Sequence, residues 1–209
     1  MKLSPLLLLS LVFGIALFAI FSPESSDPER RSYPCSQPAT DWQKSPYVLP
    51  YRDHFAYVVN QANCSGNGHS NFWNHGYDFV MPVGTPVTAA RKGTVLTASD
   101  GCADGNRQCT NLVTVQHEDG TVGLYSHLTR GGVKVHVGQQ VAAGDWIGLS
   151  GNTGNTGGLP HLHFSVHPCG ALPGLGLSGT CPSIPVNFKN AGPNPNGLKP
   201  LKAYLPAPF

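Results

Sequence analysis

The sequence predicts an all-β fold, mainly antiparallel sheet arranged as a sandwich or open barrel, with long loops. Three observations carry this prediction. Charged residues make up only 11% of the 209-residue chain, against about 25% in an average globular domain. Glycine (25) and proline (19) are abundant; one raises backbone entropy and the other removes an N–H donor, so both favour turns and short strands over helices. No long stretch has the amphipathic period of a helix, whereas short apolar segments recur between Gly-containing turns.

The elements follow in order. Met1-Lys2 is followed by an almost wholly apolar run, Pro5 to Phe21. This is long for the apolar region of a cleaved signal and short of the roughly 20 residues of a spanning helix. The stretch Ala16-Leu-Phe-Ala-Ile-Phe-Ser-Pro has no clean small-x-small cleavage site. Residues 1–22 are therefore expected to be a signal peptide or an uncleaved N-terminal membrane anchor, with the remainder periplasmic or extracellular. Residues 23–45, polar and Pro-bearing, read as a linker. Residues 46–209 read as one domain with its core at 69–167. Strands are expected over Thr85 to Leu96, Leu112 to His117, Thr121 to His127, Val133 to Val137 and His161 to His167. Glu118-Asp-Gly marks a hairpin turn, and Asp78 stands at the start of a further strand. Gly84-Thr-Pro-Val-Thr-Ala followed by Lys92-Gly-Thr-Val is echoed by Gly138-Gln-Gln-Val-Ala-Ala-Gly followed by Asp145-Trp-Ile-Gly. Two related halves would produce this echo, with Gly supplying the tight turns. Residues 182–209 are Pro-, Asn- and Gly-rich, with an edge strand expected near Leu201 to Leu205 and no evident chemistry.

Six cysteines in an exported chain read as disulfides. Local bridges Cys102–Cys109 and Cys169–Cys181 are expected, leaving Cys35–Cys64. A cysteine zinc site is disfavoured, because no Cys-x-x-Cys pair is present. The formal charge is +2 and there is no basic run, which gives no support to electrostatic nucleic-acid binding.

The chemistry lies in the nine histidines. In Pro160-His161-Leu162-His163-Phe164 the two histidines, two apart on a strand, point to one face while Leu162 and Phe164 point to the core. In Tyr125-Ser126-His127, at a strand end, Tyr125 shares a face with His127 and is a candidate to orient it or the substrate. His69, His75 and Asp78 offer imidazole nitrogen and carboxylate oxygen, both suited to zinc. Each alone has an ordinary alternative: a surface histidine, or a turn-capping aspartate. Jointly they suggest three protein ligands with an open position, the pattern of catalytic zinc. There is no His-Glu-x-x-His helix to supply a carboxylate base, so a spare histidine would carry the proton. His54, His117, His136 and His167 have no matching partner in the sequence.

The segments Asp78-Phe-Val-Met-Pro-Val-Gly-Thr-Pro-Val-Thr-Ala, Gly93-Thr-Val, Tyr125-Ser-His-Leu, Val137-Gly-Gln-Gln-Val-Ala-Ala-Gly-Asp-Trp-Ile-Gly, Ser150-Gly-Asn-Thr-Gly and His161-Leu-His-Phe resemble, in order and spacing, the lysostaphin/LytM-type zinc endopeptidases. These form peptidase family M23, with its duplicated hybrid motif domain, and cut peptides of bacterial peptidoglycan. The resemblance runs from about Pro46 to His167. It implies Zn2+ as cofactor, Asp78 and His163 as ligands, His127 and His161 as catalytic residues and a peptidoglycan peptide as substrate; a monomer is expected as the working unit. One position departs from the family pattern. Where the usual His-x-Gly-x-Asp motif has its histidine, this chain has Asn74. The resemblance to a branch whose histidine lies farther upstream favours His69 as the remaining ligand, with His75 as the other candidate. A second reading, a catalytically inactive relative that regulates cell wall hydrolases by binding, would require ligands to be missing. A third is a carbohydrate- or lipid-binding domain on the same fold.

Overall fold

Leu112-Val-Thr-Val-Gln and Val122-Gly-Leu-Tyr-Ser are short runs rich in β-formers, separated by Glu118-Asp-Gly, and they close as a hairpin in the computed structural model. His117 N–H donates to Thr121 O and Gly120 N–H to His117 O across the turn. The structure describes residues 35, 41–52, 54–66, 68–169 and 181–209. Its strands are β1 (Tyr57–Gln61), β2 (Tyr77–Val80), β3 (Pro86–Thr88), β4 (Gly93–Ser99), β5 (Leu112–Gln116), β6 (Val122–Ser126), β7 (Gln140–Val141), β8 (Trp146–Leu149), β9 (His161–His167) and β10 (Ala203–Tyr204). One eight-stranded sheet has the order β10-β1-β2-β9-β6-β5-β4-β7, and β3 pairs with β8 in a second, two-stranded sheet. Every pairing is antiparallel. Among the described residues the only helical turns are short 3-10 segments at Trp42–Lys44 and Asn71–Trp73, so the all-β expectation holds.

The register explains where the site must lie. His163 stands opposite Asp78 on β2 and Ser126 on β6, and Leu124 stands opposite Ser165. Asp78, His161, His163, Ser126 and Leu124 thus share one face. Phe79, Leu162, Phe164, Val113 and Val115 take the other and build the main core with Tyr51, Tyr77, Tyr125 and Phe188. A smaller cluster, Val122 and Leu124 with Phe72, Leu96 and Leu112, lies on the site face.

Several expectations are corrected. The strand expected over Thr85 to Leu96 is two strands, β3 and β4, belonging to different sheets. The chain crosses between them at Ala89 and Ala90, which are fully buried and bonded to Asp145 O and Tyr125 Oη respectively. Gly93 permits the re-entry, because a Cβ there would stand 2.1 Å from Gln116 O on β5. No strand forms over Val133 to Val137: Lys134 N–H reaches Ile147 O, but Val133 N–H turns to Asp100 Oδ2 and Gln139 N–H closes a turn on His136 O. The pairing instead falls to β7 and β8. The echoed segments pair crosswise, β3 with β8 and β4 with β7, which is the two-halves arrangement the repeat implies.

All three disulfides, Cys35–Cys64, Cys102–Cys109 and Cys169–Cys181, join the expected partners. No helix among the described residues is long and apolar enough to cross a membrane. The expected signal or anchor at 1–22 lies outside the described residues, as does most of the 23–45 linker.

Candidate metal centre

A carboxylate and two imidazoles meet on the site face. His163 Nδ1 lies 2.8 Å from Asp78 Oδ1, and His69 Nε2 lies 3.1 Å from the same oxygen. Among the described residues, His69, Asp78 and His163 form the group able to hold a metal ion, with one ligand atom from each and all three atoms within 4.8 Å of one another. The strands deliver Asp78 and His163 through direct cross-strand pairing. A loop delivers His69: its N–H bonds Gly66 O, and its Nδ1–H donates to Ala62 O at 3.1 Å. Because a carbonyl can only accept, that bond places the proton on Nδ1 and turns the bare Nε2 toward Asp78. Gly76 makes the room, since a Cβ there would lie 2.6 Å from His163 Cε1 and 3.2 Å from His69 Cε1.

The donor set fits a divalent metal ion. His69 Nε2, the nitrogen turned toward Asp78, is buried without a hydrogen-bond partner. A buried unpaired polar atom costs about 1–3 kcal/mol, and a cation at this position removes such a cost. The electrostatics agree. Burial alone would raise the pKa of Asp78, but the imidazoles of His163 and His69 beside it outweigh burial and hold the carboxyl far below its usual range. Burial opposes protonation of His69, yet the Asp78 carboxylate more than offsets this and raises its pKa. In His163 burial wins, aided by His69 and His161, and the pKa is lowered.

Two further imidazoles stand beside this group. The rings of His127 and His161 are 4.7 Å apart, and His161 Nε2 lies 3.7 Å from Asp78 Oδ1. Each is oriented by a backbone carbonyl. His127 Nδ1–H donates to Thr153 O at 2.6 Å and His161 Nδ1–H to Leu159 O at 2.8 Å. Both therefore carry the proton on Nδ1 and leave Nε2 able to accept another. Burial, reinforced by His161 and His163, pushes the pKa of His127 down to about 3, so this ring is neutral near pH 7. His127 has φ 67, a left-handed conformation uncommon outside glycine and strained by roughly 1–3 kcal/mol. It ends β6 one residue earlier than the sequence suggested and swings the ring toward His161.

These groups open on a cleft of about 760 Å³, whose lining also includes Gln61, Gly68, Phe72, Trp73, Thr110, Leu112, Leu124, Ser126 and Asn155 to Gly157. Phe72 and Trp73 on one loop and Asn155 to Gly157 on another thus border it.

The structure brings His69, Asp78, His127, His161 and His163 together. His75 is buried and stands outside the metal-holding group, with its N–H donated to Ser183 Oγ. Tyr125 does not orient His127: its ring is buried against Phe164, and its hydroxyl accepts from Ala90 N–H at 2.7 Å. Sequence reasoning missed three supports. His167 is tied to Ser165 Oγ and Cys181 O and stacks on Phe72. Trp73 sets its edge against His163, 5.3 Å between ring centroids. The segment after Cys181, where no chemistry was evident, bonds Phe72 O through Ser183 N–H. The Ser165-x-His167 spacing on a strand, which puts both side chains on one face, was the available signal for the first. His54 and His136 are exposed and outside the cleft.

Comparison with known proteins points to the same segment of the chain. Residues 73–172 match the family described as Peptidase family M23. The chain is 40% identical over 93 residues to peptidoglycan DD-endopeptidase ShyA of Vibrio cholerae serotype O1, covering 44% of this chain and 20% of that protein. It is 32% identical over 126 residues to lysostaphin of Staphylococcus simulans, covering 60% of this chain and 23% of that protein. The solved structure of lysostaphin from Staphylococcus simulans aligns with a TM-score of 0.47 at 27% identity, covering 68% of this chain and 51% of that one. The chain spans less than a third of the length of these two curated relatives. Over residues 73–172, the segment centred on these histidines, the chain matches peptidase family M23.

Proposed function

We propose that the chain is a zinc-dependent metalloendopeptidase that hydrolyses peptide bonds in peptidoglycan crosslinks. The observation that carries this reading is the convergence of His69 Nε2 and His163 Nδ1 on Asp78 Oδ1, with the His127–His161 pair alongside. His69, Asp78 and His163 would hold the metal; two nitrogens and one carboxylate oxygen suit zinc in a site with an open position. Zinc, when bound, supplies a Lewis acid that polarises the scissile carbonyl and acidifies water. The protein's own groups manage the proton. His127 or His161 accepts it from the attacking water at Nε2 and returns it to the leaving amine. The protonated imidazole, held in the cleft, stabilises the developing oxyanion. The cleft lined by Phe72, Trp73 and Asn155 to Gly157 would take the substrate peptide.

ShyA is by name a peptidoglycan DD-endopeptidase, and that supports the choice of substrate. The same reading assigns residues 1–22 to a signal peptide or membrane anchor, 23–45 to a linker and 46–209 to the catalytic domain. It places the domain, as a monomer, in the periplasm or outside the cell. The reading as an inactive binding regulator is not favoured, because every position of the ligand and proton-transfer set is filled. Digestion of purified peptidoglycan tests the proposal. New amino termini are expected from the zinc-loaded protein and none after chelation; no new termini from the zinc-loaded protein would refute it.

A further inference from the structure

The carbonyl that orients His127 belongs to Thr153, and a separate buried assembly holds Thr153 in place. Thr153 is fully buried; its Oγ1–H donates to Leu128 O at 2.8 Å and its Oγ1 accepts Asn111 N–H at 3.0 Å. Asn111 is also fully buried and has every polar group engaged. Its Nδ2 donates to Leu128 O at 3.1 Å and to Cys102 O at 2.8 Å, and its Oδ1 accepts Cys102 N–H at 2.8 Å. Its own backbone O accepts Leu128 N–H. Asn111 thus ties Leu128, the residue after His127, to the base of the Cys102–Cys109 loop through its side chain, and holds Thr153, which bears the orienting carbonyl, through its backbone N–H. That loop continues the brace: Gly105 N–H bonds Asn152 O, Gly154 N–H bonds Asn106 O, and Asn152 N–H bonds Asp104 Oδ1. Both backbone neighbours of Thr153 are therefore fixed from the disulfide loop. The fit is close, since a Cβ on Gly154 would meet Thr110 Oγ1 at 2.1 Å and His127 Nδ1 at 3.2 Å.

We propose that Asn111 is a positioning residue for the reaction, acting through Thr153 to hold His127 in a single tautomer and orientation. Asn111 lies outside the lining of the cleft, so its influence passes through the Thr153 carbonyl and the Leu128 backbone. His127, in a left-handed conformation at the end of β6, gains no such restraint from the strand ladder. If Thr153 O moves, the imidazole loses the acceptor that keeps its proton on Nδ1, and Nε2 no longer presents a lone pair to the cleft. This inference rests on the reading of His127 as a proton-transfer group.

The test uses the full chain loaded with zinc, with Asn111→Ser and the nearly isosteric Thr153→Val, which keeps the carbonyl but removes both bonds of Oγ1. Turnover of a soluble crosslinked muropeptide and the imidazole 15N signals of His127 are measured together. Zinc content and KM are expected to stay within about twofold of wild type while kcat falls about 10- to 100-fold, the range seen when groups supporting a site residue are lost. The His127 signals are expected to change from the Nδ1-protonated form to a mixture of tautomers. A folded, zinc-loaded Thr153→Val protein with wild-type kcat and an unchanged His127 tautomer would overturn the proposal. So would a loss of turnover in both variants with the tautomer unchanged, which would leave the reading of His127 intact. A fully active His127→Ala protein would overturn that reading itself.

Discussion

Gly76→Ala puts the smallest possible perturbation between the two imidazoles of the metal centre. A methyl group built there stands 2.6 Å from His163 Cε1, 3.1 Å from His163 Nε2 and 3.2 Å from His69 Cε1. The backbone at Gly76 has no left-handed φ, so the cost is steric alone. The His163 ring can yield only by leaving its 2.8 Å contact with Asp78 Oδ1. The His69 ring can yield only by stretching its bond to Ala62 O. Overpacking of this kind costs about 1–3 kcal/mol, which at about 1.4 kcal/mol per decade is roughly a 5- to 150-fold change in an equilibrium constant. Zinc affinity, read by competition with a chromophoric chelator, is expected to weaken by about that factor, with activity at limiting zinc falling in step. Gly101→Ala, where an added Cβ meets nothing within 4 Å, is the control and should leave both unchanged. Wild-type zinc affinity in a folded Gly76→Ala protein would refute the claim that His69 and His163 converge on a common ion.

Three further outcomes are expected. His161→Ala should retain zinc yet lose turnover by at least about 100-fold, the lower range for a positioned acid–base group; metal analysis beside a peptide-release assay checks both halves. Tyr125→Phe should cost about 1–3 kcal/mol in urea unfolding, because Ala90 N–H loses its buried acceptor, and should leave kcat within about twofold; a large kcat loss would restore Tyr125 to the site. His117 is buried with Nδ1–H on Lys92 O, and burial pushes its pKa down from 6.5 to about 4. The unfolded chain then binds the extra proton first, so stability is fully present above pH 6.5 and is lost as pH falls toward 4. By pH 4.5 the loss from this residue is about 2–3 kcal/mol, and His117→Gln should shrink the difference between unfolding at pH 7 and pH 4.5 by that amount.

Strand alternation made half of the site readable before any coordinates. His161 and His163 had to share a face, Leu162 and Phe164 had to take the other, and Asp78 at a strand start had to lie near a sheet surface. The choice between His69 and His75 was not readable from spacing, because zinc accepts either. It depends on a loop path set by long-range contacts: Cys64 bound to Cys35, Cys64 N–H bonded to Asn74 O, and the 3-10 turn at Asn71–Trp73. The left-handed turn at His127 was hidden for a similar reason, since no glycine marks it. Val133 to Val137 shows the opposite failure. Its valines have strand propensity, but Gly132 packs with no room for a Cβ against Thr129, and the N–H groups of Val133 and His136 are taken by the side chains of Asp100 and Gln139 rather than by a ladder. Local propensity yielded there to tertiary bonding. The echo between Gly84-Thr-Pro-Val and Gly138-Gln-Gln-Val was the better guide, because it reported a pairing rather than a propensity.

Zinc stoichiometry of the purified chain, compared across His69→Ala, His75→Ala and His163→Ala, reaches the central claim most directly. A single zinc ion per chain is expected in the wild type and in His75→Ala, with loss of tight binding in His69→Ala and His163→Ala. A folded wild-type protein that takes up no zinc, or zinc that survives the loss of His163, would contradict the account.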